Sequence, residues 1–402
     1  MEEGLGNTLP FKYPFSDFLF TVVGLFCFVL DMVLDVWAVA SFYLEGEYVY
    51  MGMLVFLLLG SSLLVQAFSL LWYLCDKDGT ETRTGGLVKN LRSLKILHVF
   101  QMGVFVRYAG VVSVSICGFC YKKRYMEGDA VFLSHDLSLL RLFETFSESA
   151  PQLVLMVTII IGEGSVDLIT ILKAIGSASA ISVSVTMYHR SLRSFLPSKA
   201  KQGWLSSVVY FLWNLLLIGP RVAAVSLFAS AFPCYIAAHF LCSWMVLFLF
   251  ASQLNTDLMD SIGGERLYQA TIGLIWYFSW FHVTRGTSRW ISTIYHTWIA
   301  VDIVILCGLW IWQTKESPPY FDLPLEPCVI FVVNMLLYFS GLGLKVIYYK
   351  YCHPKCTLQI EPDTDSQEGE DEVDFRCMVS SQPKPSARVN KRMRNLAETF
   401  YS

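Results

Sequence analysis

The chain has little charge and none of the short motifs that announce common catalytic machinery. Charged residues occupy 16% of its 402 positions and apolar ones 54%, too few polar groups to cover a soluble domain of this length, so a water-soluble enzyme is excluded. It contains no Gly-x-x-x-x-Gly-Lys-[Ser/Thr] loop to cradle a nucleotide, no His-Glu-x-x-His zinc helix and no Gly-x-Ser-x-Gly nucleophile turn. Nothing here couples ATP to movement, no metal or other cofactor is expected, and a substrate that passes must go downhill. The eleven cysteines show no paired spacing and read as reduced thiols, with Cys352 and Cys356 placed as juxtamembrane acylation candidates. No Asn-x-Ser/Thr sequon occurs, so no N-linked glycan is expected. The chain opens on Met1, Glu2 and Glu3, acidic where a secretory signal needs lysine or arginine, and its first apolar stretch is too long for a signal core.

What fills the sequence is apolar runs. They cover about 15–43, 48–74, 138–161, 168–188, 205–232, 235–250, 291–312 and 329–349, most of them near the roughly twenty residues that a helix needs to cross a bilayer. That predicts an all-α polytopic membrane protein with eight transmembrane helices. Two further stretches, about 94–119 and 267–283, are apolar but flanked by basic residues at both ends, and read as segments that dip in and return on one side. With that choice lysine and arginine concentrate in the loops at 77–95, 122–124, 189–201, 285–289 and 345–355, which places both termini in the cytosol. The order of two crossings, a dip and two crossings then occurs twice. This predicts a cytosolic N-terminus at 1–14, a first repeat at 15–190, a connector at 191–204, a second repeat at 205–350 and a cytosolic tail at 351–402, with a pathway between the halves.

Several charges fall where lipid should be. Asp17, Asp31 and Asp35 are offset by fourteen and eighteen residues, so at about 100° per residue they lie on one stripe of the first crossing. An aspartate at the centre of a membrane helix costs roughly 2.5–3.5 kcal/mol, against about 0.3–0.6 gained per large apolar residue, so this helix requires neighbours that receive its acidic face. Arg141, Glu144 and Glu148 share a second helical face, which Gln152 continues past Pro151. Arg141 reads as a local partner of one of the two glutamates. Arg107, Lys173 and Arg221 are the candidate counter-charges, and Asp302 adds a lone acid in the seventh crossing. Buried ionisable groups in a membrane mark a substrate or ion path, with structural ion pairs as the rival explanation.

After residue 351 the sequence turns polar. The segment 361–374 holds eight acids and no base, and Asp371, Glu372, Val373 and Asp374 spell the preferred site of an executioner caspase, with the cut before Phe375. Beyond it Val389, Met393, Leu396 and Phe400 form a narrow apolar stripe among basic residues, which suits a helix resting on anionic lipid or docked as an inhibitor on the membrane domain. Cutting after Asp374 removes that helix in either case. Phosphorylation of Ser380 or Ser381 would add negative charge to the same basic segment.

These residues resemble the XK-related family. The most specific stretches are 137–146 with Ala150, Pro151, Gln152 and Leu153, and the Asp-Glu-Val-Asp site, supported by 196–199, 210–214, 277–281 and 391–397 in the same order along the chain. The resemblance implies ATP-independent, bidirectional phospholipid scrambling that exposes phosphatidylserine on dying cells as a signal for engulfment. It also implies a partner at the plasma membrane, a single-pass glycoprotein of the basigin or neuroplastin kind. By position it assigns Asp17, Asp31, Asp35, Arg107, Glu144, Glu148 and Arg221 to the charged membrane interior and Asp374 to the cleaved site. Composition alone leaves an ion channel or solute transporter, and a non-transporting scaffold, as alternatives.

Overall fold

The computed structural model of the protein describes residues 13, 15–75, 91–121, 124–163, 168–195, 202–254, 256, 258–259, 261–283, 289–316 and 326–352. These residues form helices and short connections, with no strand among them. The acidic segment, the caspase site at Asp371–Phe375 and the stripe Val389, Met393, Leu396 and Phe400 lie outside the described residues.

The chain opens with α1 (Phe15–Glu45) and α2 (Tyr48–Cys75). Their turn is tight because Gly46 takes φ +80° and the Glu47 N–H reaches back to the Phe42 carbonyl at 2.9 Å, closing the last turn of α1. Then come α3 (Leu91–Val99), α4 (Gly103–Tyr121) and α5 (Arg124–Glu144), which runs through a π-helical turn at Thr145–Ser149 into α6 (Ala150–Glu163). Next are α7 (Leu168–Phe195), α8 (Trp204–Ala231), α9 (Ile236–Gln253) and α10 (Ile262–Phe278). The described chain ends with α11 (Arg289–Glu316) and α12 (Pro327–Ile347), the latter closed by a second π turn at Tyr348–Cys352.

Eight helices among the described residues are long and apolar enough to cross a membrane, which makes this an all-α polytopic membrane protein. They include Gly103–Cys120 and the joined stretch Ala130–Gly162; α7, 28 residues long, has the length to cross as well. The first predicted dip therefore differs in detail from the sequence expectation. It is two helices broken at 100–102, where Gln101 adopts φ +63°. A break at this depth exposes backbone groups that lipid cannot satisfy, and Gln66 of α2 supplies the bonds from both ends of its amide. Its Nε2 donates to the Gln101 carbonyl at 3.0 Å, and its Oε1 accepts from the Gly103 N–H at 3.1 Å. Gly103 has no room for a side chain, because a Cβ would collide with Gln66 and His98.

The second dip is α10, which ends at Phe278 and continues as non-helical chain through residues 279–283. Its end is buried, with Ile272, Ile275, Trp276 and Tyr277 all at 1% exposure or less. Two bonds satisfy carbonyls of this interior end and a third ties down the chain just beyond it. The Tyr295 hydroxyl donates to the Trp276 carbonyl at 2.8 Å, the Trp276 indole N–H to the Phe281 carbonyl at 2.8 Å, and Arg221 Nε to the Tyr277 carbonyl at 2.9 Å.

The hub of the bundle is α8, which packs against α6, α7, α11 and α12. Pro220 lies inside this helix, where it lacks the N–H of the helical ladder, and Asn334 of α12 donates to the Pro220 carbonyl at 3.1 Å. At Gly341 the α12 backbone approaches α8 so closely that a Cβ would stand 3.0 Å from Leu216 and Leu217. Phe20 lies 6.3 Å from Trp204, ring to ring, and Tyr348 lies 5.4 Å from Tyr210. The start of α1, the start of α8 and the end of α12 therefore share one end of the bundle, here termed the terminal end.

Candidate functional site

Helix α1 packs on α2 and α4 and stands off from α6 and α7. One face is open to the surroundings, with Trp37 73% and Val36 69% exposed. The opposite face carries the acids. Between it and the α5–α6 and α7 walls lies a cavity of about 840 Å³, large enough for a polar headgroup. Asp17, Asp31 and Asp35 all line it, so the stripe expected from helical spacing faces one space.

The far wall is set by the π turn. Arg141, Thr145, Ser149 and Gln152 line the cavity within and on either side of this turn, whereas Glu144 and Glu148 sit buried beside it. Arg141 pairs with Glu144 at 2.5 Å and lies over the Phe28 ring at 4.8 Å. Glu148 reaches across to α1. Its carboxylate and those of Asp31 and Asp35 place oxygens within 4.8 Å of one another. Three carboxylates this close repel one another unless a proton or a cation comes between them, so the cluster is adapted to attract positive charge.

Helix α7 supplies the third wall. Ser177, Ser184 and Ser191 are seven residues apart, two turns each, and all face the cavity, with Arg190 at the terminal end. The result is a polar track of hydroxyls and acids along a helix whose other side is open.

A sequence model of the XK-related protein family matches residues 19–354. The chain belongs to the XK-related family. It is 42% identical over 406 residues to "XK-related protein 8" of Tetraodon nigroviridis, which covers 98% of each chain. Over 402 residues it is 40% identical to the protein of that name from Gasterosteus aculeatus (97% of this chain, 98% of the other), and over 388 residues 36% identical to that of Pan troglodytes (96% and 94%).

Two of the seven charges assigned to the membrane interior lie away from the cavity of this XK-related chain. Arg107 is 3% exposed and bonds Ser69 through Nε at 2.8 Å and Nη2 at 2.9 Å, with Asp136 at 3.3 Å. It ties α4 to α2 and α5. Arg221 is 1% exposed and pairs with Asp302, which also meets His239 at 3.2 Å, while His239 contacts the Tyr277 hydroxyl at 3.1 Å. Both arginines hold the dips in place. The side chain of Lys173 lies outside the described residues. The cavity lining falls entirely within residues 13–191, in the first half of the chain, whereas the sequence placed a pathway between the halves. Sequence reasoning overlooked Arg190 and the α7 serines; the seven-residue spacing of the serines was a visible signal, while the role of Arg190 depends on contacts with α1 and α8.

Proposed function

We propose that this chain is an ATP-independent phospholipid scramblase of the plasma membrane that exposes phosphatidylserine in apoptotic cells. The observation that carries this reading is the acid stripe of α1 facing a cavity whose lining mixes these acids and the α7 hydroxyls with apolar side chains, on a helix whose other side is exposed. Headgroups move along Asp17, Asp31, Asp35 and the facing hydroxyls while acyl tails stay in the bilayer, so no charge has to enter hydrocarbon unaccompanied. The acids meet headgroup amines, and Glu148 adds its carboxylate beside Asp31 and Asp35. No covalent chemistry is involved, so the protein is a passive transporter and not an enzyme.

In this reading the terminal end faces the cytosol, and the tail works as a one-way device. A helix carrying Val389, Met393, Leu396 and Phe400 holds the membrane domain shut at the high effective concentration that its tether provides. An executioner caspase cutting after Asp374 abolishes that advantage. A single-pass glycoprotein of the basigin or neuroplastin kind accompanies the chain to the cell surface. The test replaces Asp374 with Ala and measures phosphatidylserine on the surface of apoptotic cells in which this chain is the sole rescuing scramblase. The uncleavable form should expose none above background; normal exposure would remove the switch from the account.

A further inference from the structure

Two arginines line the cavity, and they differ in what neutralises them. Arg141 has Glu144. Arg190 has no carboxylate partner among the described residues. Its guanidinium lies 5.5 Å from the Phe20 ring of α1 and 5.7 Å from the Trp204 ring of α8, between two aromatic faces that meet at the terminal end. Its bonds to protein both leave through Nη1, to the Ser207 hydroxyl at 2.9 Å and the Gln202 carbonyl at 3.5 Å. Those bonds hold the side chain in place. The other edge, Nε and Nη2, carries no bond to a described residue, and it is the edge whose parallel N–H groups grip two oxygens of one phosphate.

We propose that Arg190, clamped between Phe20 and Trp204, is a phosphate-docking residue at the terminal end of the cavity that takes the phosphodiester of a membrane lipid. The ligand chemistry is an oxyanion with two non-bridging oxygens, and the exposed Trp204 ring beside it offers its apolar tails a surface. Trp204 is 73% exposed, placed as an aromatic anchor at a membrane interface. Along α1, Asp31 lies eleven residues beyond Phe20, roughly 16 Å at the helical rise. One headgroup cannot touch Arg190 and the acid cluster together, so Arg190 is a separate first station. This assignment rests on the lipid-transport reading in one respect, that the phosphate belongs to a lipid in transit.

The full-length protein, in a detergent without phosphate, is titrated calorimetrically with dihexanoyl phosphatidylserine, with dihexanoylglycerol, which lacks the phosphate, and with inorganic phosphate. Arg190→Gln should weaken phospholipid binding about tenfold to a hundredfold, as expected for losing charge-assisted bonds, with Arg190→Lys intermediate because it keeps the charge but not the fork. Dihexanoylglycerol should bind the wild type no better than Arg190→Gln binds the phospholipid. If inorganic phosphate binds wild type as tightly as the lipid and Arg190→Gln removes both, oxyanion docking stands with free phosphate as an equal source. Unchanged phospholipid binding by Arg190→Gln, or equal binding of the phosphate-free lipid, overturns the proposal. Should the variants fail to fold, phenylglyoxal labelling of wild type mapped by mass spectrometry decides: Arg190 must be protected by phosphatidylserine and not by dihexanoylglycerol. A lipid-mixing assay on the same proteins separates the two readings. Lost docking in a protein that mixes no lipid upholds the docking residue and sinks transport; wild-type docking and mixing by Arg190→Gln does the reverse.

Discussion

Arg221 of α8 donates through Nε to the carbonyl oxygen of Tyr277, 2.9 Å away, in the last turn of α10. A membrane helix that stops inside the protein leaves carbonyls that water cannot reach, and a guanidinium fixed by Asp302 supplies the missing donor. The charge and the dip are therefore one feature. Replacing Arg221 with Gln should lower stability by about 3–5 kcal/mol, since it leaves a buried carboxylate and a carbonyl unpaired. Replacing Arg221 and Asp302 together with Leu should recover much of that loss. Thermal unfolding of the purified variants followed by fluorescence checks both; a single variant as stable as wild type would remove the capping role.

The contact between α8 and α12 makes a second prediction. A Cβ at Gly341 would stand 3.0 Å from Leu216 and Leu217, whereas one at Gly343 would meet nothing within 4 Å. Gly341→Ala should cost about 1–3 kcal/mol, the usual penalty for overpacking a close-packed site. Gly343→Ala, two residues along the same helix, should be neutral or slightly stabilising because alanine is the better helix former. The paired melting curves give the answer directly.

The acid cluster should show a trade between stability and activity. Asp31, Asp35 and Glu148 crowd their oxygens within 4.8 Å, so Asp35→Asn relieves repulsion and, on the proposed function, removes a station for headgroup amines. Stability should hold or rise by about 1 kcal/mol, and lipid mixing by the activated protein should fall about tenfold, equivalent to about 1.4 kcal/mol on the barrier. Reconstituted variants measured for melting and for mixing test this. Loss of both properties together would make the cluster structural.

Much of this architecture was legible because period and composition are local. The apolar runs gave the all-α polytopic class, and the offsets of Asp17, Asp31 and Asp35 gave a stripe that the structure turns toward one cavity. The face shared by Arg141, Glu144 and Glu148 was legible only in part. Arg141 does pair with Glu144 and Gln152 does share the cavity wall with it, but the π turn at Thr145–Ser149 has no sequence signature, and Glu144 and Glu148 sit buried beside the cavity instead of lining it. The roles of Arg107 and Arg221 depend on Ser69, Asp136, Tyr277 and Asp302, partners brought from other helices by tertiary packing. No spacing rule could name them.

The most direct test of the central claim is lipid mixing by the purified full-length protein in liposomes. A fluorescent phospholipid is placed in both leaflets, and a membrane-impermeant quencher is added before and after treatment with an executioner caspase, without ATP. Quenching should stop at the outer leaflet with intact protein, run to completion after cutting, and stop again at the outer leaflet with Asp374→Ala. An inner leaflet that stays protected after the tail has been cut would contradict the account.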